Sequence, residues 1–201
     1  MDEFILLDFD PGWVVSELLN IRACSFTIIE DGLRIQLLEE ALKCSYLERE
    51  KVVGRAQIKQ DLWACDEFPT DSPFKRFGNC FQEEVDEKLG PMERYVFSSP
   101  ITINEIVLQK YEPGSIGITT HMDNLSSINL ISIVILTGKS RFVICSDREG
   151  HDPVDIDATP GRVIMMRAPG FMDSNFRPFH YLTDIIDLRI TLGLRQIKKP
   201  A

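Results

Sequence analysis

His121 and Asp123 stand two residues apart at the end of the stretch Tyr111 to Asp123, YEPGSIGITTHMD, and His180 follows further along the chain. Side chains at i and i+2 of a β-strand leave the same face, so this imidazole and this carboxylate can reach one metal ion. With His180 the set becomes two imidazoles and a carboxylate on one face of an iron centre, leaving the opposite face open for a cosubstrate and O₂. The segment RITLGLR then supplies Arg189 and Arg195, whose planar forks suit the carboxylates of a dicarboxylate cosubstrate. Residues 189, 191, 193 and 195 share one strand face, and Gly193 leaves room for the two guanidinium groups to lean toward a short ligand. His151, in the polar stretch DREGHDPVD, has no ligand spacing and is expected in solvent.

These residues need elements to hold them. From residue 101 the chain reads as short β segments: ITINEIVLQKY, NLISIVILTG, SRFVICS, RVIMMRAP and DLRITLGLRQI. Pro-Gly turns at 113–114 and 160–161 and a loop over 147–159 join them. The pattern predicts a double-sheet jelly roll whose interior holds a metal and a small ligand, with HxD on a strand. Upstream, FILLDF (4–9) reads as a strand. Asp10-Pro11 opens a helix to about residue 21, and Asp31 caps a second helix carrying Leu33, Leu37, Leu38, Ala41 and Leu42 inward, with Glu39, Glu40, Arg49 and Glu50 on the wet side. Ser72-Pro73 starts a third helix, whose stripe Phe74, Phe77, Phe81, Val85 and Leu89 belongs to the core and ends at Gly90-Pro91.

Between the second and third helices, VVGRAQIK (52–59) reads as a strand and LWACDEFPTDSP (62–73) as a loop, so residues 51–71 are a candidate lid. Trp63 and Phe68 offer faces for a planar substrate, although a loop tryptophan is more often packed beneath its loop. The fold class is therefore α+β: one domain over 1–201, with helical support in 1–100 packed against one sheet of a jelly-roll core at 101–197.

Composition narrows the function. The 201 residues carry a net charge of -9, which argues against a surface built for polyanions. The available cations cluster at Lys43, Arg49, Lys51, Arg55 and Lys59, with Lys198 and Lys199 near the end; Asp61, Asp66, Glu67 and Asp71 oppose them. Five cysteines without a CxxC pair or a signal peptide point to reduced thiols in the cytoplasm. No apolar run is long enough for a membrane span.

From about Ile103 to Ile197 the sequence resembles the AlkB family of Fe(II)/2-oxoglutarate dioxygenases. The resemblance rests on Gln109-Lys110-Tyr111, Pro113-Gly114, His121-Met122-Asp123, His180 and Arg189-ITLGL-Arg195, in that order. It implies iron at His121, Asp123 and His180, the distal carboxylate of 2-oxoglutarate at Tyr111 and Arg189, and Arg195 near the C1 carboxylate and Asp123. Gln109 and Thr191 stand where the family commonly has Asn, at positions that line the cosubstrate site. The implied cofactors are Fe(II), 2-oxoglutarate and O₂. The implied reaction decarboxylates 2-oxoglutarate to succinate and CO₂ and hydroxylates a C–H bond. The first half carries no matching nucleotide-recognition motif, so a small-molecule or protein substrate is favoured over demethylation of nucleic acid. A non-catalytic jelly-roll binding protein is the third reading, against which the intact triad and arginine pair weigh.

Overall fold

The computed structural model describes residues 4–92 and 96–198, so Lys199 falls outside the described residues. Helix α1 (Pro11–Asn20) begins where the sequence predicts. The Asp10 carboxylate accepts from the N–H groups of Gly12 and Trp13, and Pro11 occupies a position whose N–H would have no helical partner. Residues 4–9 join no ladder. Leu7 N–H donates to the Ile28 carbonyl, and Phe4 and Leu6 pack against the helical core, so this stretch is held by burial and not by strand pairing.

After α1 the chain turns at Arg22, in left-handed conformation (φ 79°), and enters β1 (Ala23–Thr27), a strand the sequence reading does not anticipate. Helix α2 (Asp31–Leu42) starts after Glu30. Asp31 does not cap it but pairs with Arg34 at 2.8 Å. The helix buries Leu37 and Ala41 and leaves Leu42 exposed, and it ends well before Arg49 and Glu50.

Four short strands follow: β2 (Leu47–Glu48), β3 (Val52–Val53), β4 (Ile58–Lys59) and β5 (Trp63–Cys65). Where one strand is expected over 52–59, β3 and β4 pair as a hairpin, because Gly54 (φ 68°) and Gln57 (φ 53°) reverse the chain. The expected loop from Leu62 contains β5, which joins the main sheet. Trp63 is not a free platform: the ammonium groups of Lys51 and Lys110 lie 5.8 and 5.3 Å from its ring. Phe68 packs on Phe74 at 5.1 Å. Helix α3 (Pro73–Leu89) is capped by Ser72, whose hydroxyl accepts from Lys75 N–H, and the whole stripe of Phe74, Phe77, Phe81, Val85 and Leu89 is buried.

The remaining strands are β6 (Glu105–Tyr111), β7 (Ile118–His121), β8 (Ser127–Thr137), β9 (Arg141–Cys145), β10 (Val154–Ile156), β11 (Arg162–Arg167), β12 (Phe179–Thr183) and β13 (Arg189–Ile197). They build two antiparallel sheets, ordered β1-β11-β8-β13-β6-β5-β2 and β10-β9-β12-β7. Strand β8 shows how they stack. Ile131, Ile133 and Ile135 pack with Phe142, Ile144 and Leu182 of the smaller sheet, whereas Leu130, Val134 and Leu136 pack with the helices. Burial on both faces explains why NLISIVILT is apolar almost throughout. The fold is thus an α+β jelly roll with the N-terminal helices laid on the outer face of its larger sheet. The first hundred residues also contribute β1, β2 and β5 to that sheet.

Candidate metal and cosubstrate site

The smaller sheet brings the two histidines together. In the β7/β12 pairing His121 lies directly opposite His180, with ring centroids 4.2 Å apart. Asp123 does not sit on the strand, as the i, i+2 argument supposes. Strand β7 ends at His121, and Asp123 lies in the connection to β8. It still comes within reach: its Oδ2 lies 3.4 Å from His180 Nε2, and one donor atom from each of the three residues falls within 4.8 Å of the others. An Arg177 guanidinium N–H donates to the Asp123 carbonyl and pins this loop.

The backbone fixes both imidazoles. His121 Nδ1 is 2.9 Å from the Thr119 carbonyl and His180 Nδ1 is 3.3 Å from the Pro178 carbonyl. A carbonyl only accepts, so each Nδ1 carries the proton and each Nε2 presents a lone pair. Burial pushes the His180 imidazole down to about 4, with His121 adding to the effect, so the ring is neutral near pH 7. Burial alone would raise the Asp123 carboxyl, but the neighbouring His180, Arg195, His121 and Arg177 hold it below its usual value. A neutral His180 imidazole and an ionised Asp123 carboxylate are in the protonation states that ligate a divalent metal.

The larger sheet faces this triad with a regular ladder. Strands β6 and β13 pair Arg189 with Tyr111, Thr191 with Gln109, Gly193 with Val107 and Arg195 with Glu105. Arg189 is only 2% exposed. Its guanidinium lies 5.6 Å from the Tyr111 ring centroid and its Nε–H donates to Ser140 Oγ at 2.8 Å, yet its Nη2 has no partner. Burial lowers Arg189 to about 10, still charged at neutral pH, and raises the Tyr111 phenol to about 12. The Thr191 hydroxyl is likewise buried without a partner. Arg195 bridges outward, 3.2 Å from Glu105 and 4.0 Å from Asp123.

Two glycines shape this wall. A Cβ at Gly193 would lie 3.0 Å from the Val107 side chain and 3.3 Å from Arg195 Nη1. At Gly138 (φ 93°) a Cβ would lie 2.5 Å from the Arg189 Cα, so only glycine lets the end of β8 run beside Arg189.

One cavity of about 220 Å³ joins the two walls, and His121, Asp123, His180, Gln109, Tyr111, Arg189 and Arg195 all line it. Thr191 is buried but is not on the cavity wall. The rest of the lining was not apparent from spacing. Ile133 and Phe142 come from facing sheets, and Val53, Ile58 and Gln60 from the β3–β4 hairpin and its exit. Ser140 and Arg177 also escaped notice, since tertiary folding alone brings a lone serine to Arg189 or a loop arginine to Asp123. His151 is exposed as expected, and its Nδ1 lies 2.6 Å from Asp147.

Neither a family model nor a curated protein matches the chain. Solved structures do match it. A prolyl hydroxylase from Trichoplax adhaerens, solved with a hypoxia inducible factor peptide fragment, superposes with a TM-score of 0.68 at 12% identity, covering 94% of this chain and 89% of its own. A Pseudomonas putida prolyl-4-hydroxylase gives 0.67 at 12% identity over 95% of this chain and 100% of its own. A 2OG-Fe(II) oxygenase family oxidoreductase from Burkholderia pseudomallei gives 0.63 at 12% identity, over 94% and 91% of the two chains. At these identities the likeness is one of fold.

Proposed function

We propose that this chain is an Fe(II)/2-oxoglutarate-dependent oxygenase of AlkB-like type, acting on a C–H bond of a small molecule or a protein side chain. The observation that carries the reading is the pairing, across one cavity, of a two-histidine, one-carboxylate donor set with a buried arginine whose Nη2 lacks a partner. A buried guanidinium N–H without an acceptor is costly, and a ligand carboxylate would satisfy it. The jelly roll shared with the oxygenases above supports the same class. The AlkB-like assignment rests on the order of the signature residues in the C-terminal half.

His121, Asp123 and His180 would hold Fe(II) through the two Nε2 atoms and one carboxylate oxygen. With 2-oxoglutarate and O₂ the metal supplies oxidative decarboxylation to succinate and CO₂, coupled to hydroxylation of the substrate. The chain's own residues do the positioning. Arg189 and Tyr111 anchor the distal carboxylate, with Ser140 holding the Arg189 fork in place. The Thr191 hydroxyl is an unused donor behind that wall, and Gln109 lies beside it on β6. Arg195 orients the Asp123 carboxylate, while Ile133, Phe142 and Leu182 keep the cavity apolar around the reacting groups.

A small-molecule or protein substrate fits the charge distribution better than nucleic acid. In the basic cluster of residues 43–59 Lys43 pairs with Glu40, Arg49 with Asp66, and Lys51 with Glu48 and Asp61, so three of its five cations are matched by acidic neighbours. One single-domain unit with a hairpin lid at β3–β4 is part of the same proposal. So is a cytoplasmic location, which suits five cysteines that form no disulfide; among the described residues no helix is long and apolar enough to cross a membrane. Anaerobic reconstitution with Fe(II) and 2-oxoglutarate, followed by exposure to O₂ and measurement of succinate, tests the class. Failure of the metal-loaded protein to bind 2-oxoglutarate or form succinate overturns it.

A further inference from the structure

Cys44 and Cys65 are distant in the chain and side by side in the fold. Cys44 lies in the bend between α2 and β2, and Cys65 is the last residue of β5. Strands β2 and β5 pair Leu47 with Ala64. Extending that register sets Cys65 opposite Tyr46, and Cys44, two residues earlier, falls on the same side. The side chains meet: the two sulfurs are within hydrogen-bond reach of each other, and both residues pack against the helical core. Cys44 Sγ also donates to the Glu40 carbonyl at 3.5 Å, and Cys65 Sγ to the Glu67 carbonyl at 3.8 Å. Both cysteines are half-buried and line an open cleft of about 640 Å³, which gives a small reagent access to them.

The pair brackets residues 45–64, the segment that carries β2 and the β3–β4 hairpin. Within it Val53, Ile58 and Gln60 line the triad's cavity. Little holds the base of this excursion. Its ladder has only the pairs Leu47–Ala64 and Glu48–Trp63, continued by Arg49 N–H donating to the Leu62 carbonyl at 3.0 Å. A bond between the two sulfurs would close the excursion at its narrowest point and remove chain entropy from every state in which the base opens. Cys44 belongs to no helix or strand, so its backbone can shift to bring the sulfurs from contact to bonding distance.

We propose that Cys44 and Cys65 are a reversible disulfide site that fastens the base of the hairpin segment. Glu40, Asp66, Glu67 and Asp71 line the cleft against Lys43, so a small cationic disulfide is the class of oxidant that fits. The Cys65 thiolate attacks one sulfur of that reagent, breaking its S–S bond and releasing one thiol. The Cys44 sulfur then attacks Cys65 Sγ, giving its proton to the second departing thiol as the Sγ–Sγ bond forms. Two protein thiols are thereby oxidised and one disulfide is reduced to two thiols. Burial pushes the Cys44 thiol up to about 11, so it is protonated at neutral pH and enters second, aided by proximity. The site goes beyond the oxygenase reading; only its consequence, a tethered lid over the cavity, rests on that reading.

The full chain, first reduced, is equilibrated with mixtures of cystamine and cysteamine, quenched with acid, digested and mapped by mass spectrometry. The expected main product links the peptide holding Cys44 to the peptide holding Cys65, and dithiothreitol reverses it. In Cys44→Ala and Cys65→Ala the remaining thiol should carry cysteamine instead. Hydrogen exchange at the Arg49 amide should slow at least tenfold in the oxidised wild type, with the Leu192 amide unchanged, and neither alanine variant should show this. Linkage is decided in the wild type, so a variant that fails to fold does not blunt the test. Cysteamine adducts without the internal link, or links mainly through Cys24, Cys80 or Cys145, overturn the site. A Cys44–Cys65 link that leaves Arg49 exchange unaltered overturns its role in fastening the hairpin. Neither measurement needs iron or 2-oxoglutarate, so failure here leaves succinate formation standing, and absent succinate formation leaves the thiol pair standing.

Discussion

The two ends of the cavity are built on different principles. At the deep end, Arg189 and Tyr111 face each other across the unbroken β6/β13 ladder, both nearly inaccessible, and β13 is sandwiched between β6 and β8. At the open end, the wall is a hairpin of two two-residue strands and the loop carrying Asp123. A regular ladder positions groups to a fraction of an ångström, whereas short strands and loops can change without cost to the core. The difference teaches that Arg189 and Tyr111 are fixed by the sheet, whereas the rim around Asp123 rests on short strands and loops.

The largest effect should come from the triad. His121→Ala and His180→Ala should each reduce metal binding from one ion per chain to near none, since even outer ligands of a metal site change affinity by roughly 10–100-fold. Metal analysis after anaerobic loading reads this out directly. Full occupancy in either variant would transfer the metal elsewhere. Next in size is the support beneath the deep wall. Phe77 is fully buried in the α3 stripe, and Phe77→Ala should cost about 3–5 kcal/mol in urea unfolding. A loss under about 1 kcal/mol would mean the helical layer does not stabilise the sheet that carries Arg189.

Arg189→Ala should follow. Removing a bidentate, charge-assisted contact costs about 1.5–3 kcal/mol, so 2-oxoglutarate binding should weaken at least roughly tenfold while the metal stays bound. Arg189→Lys should rescue poorly, because an ammonium lacks the planar fork. Unchanged affinity measured by calorimetry would remove Arg189 from the cosubstrate site.

The deep end was also the legible end. The apolar β segments and the R-x₅-R spacing show in the sequence because β6, β8 and β13 are long enough to carry a pattern, and α3 shows because Ser72-Pro73 and five apolar residues at helical spacing agree. The rim was not legible. β1, β10 and β12 are three to five residues long, too short for periodicity to separate them from loops. FILLDF has strand composition but no ladder to join, and Asp123 reaches the triad from a loop whose course Arg177 fixes. Contacts such as Ser140 with Arg189, or Arg177 with Asp123, join residues 49 and 54 positions apart, and no local signal encodes them.

The smallest expected effect concerns the hairpin itself. Its two strands share only the pairs Val52–Lys59 and Val53–Ile58, with Gln60 N–H donating to the Lys51 carbonyl at the base, and it is tied to the body through the Gln60–Ile118 bridge and through Thr119, whose hydroxyl accepts from Lys59 N–H. Few buried contacts hold it, so it should open locally at a free energy far below global unfolding. Ile58→Ala should therefore change stability by only about 0.5–1 kcal/mol, although Ile58 lines the same cavity as Arg189. In native-state hydrogen exchange, the Gln60 amide should exchange orders of magnitude faster than that of Leu192 on β13. Loading the triad with Mn(II) and 2-oxoglutarate should slow exchange at Gln60 more than at Leu192, because only the hairpin has freedom left to lose. Equal protection at the two amides in the unloaded protein would break the distinction between a rigid deep end and a yielding rim, and the hairpin would then be part of the scaffold and not a lid.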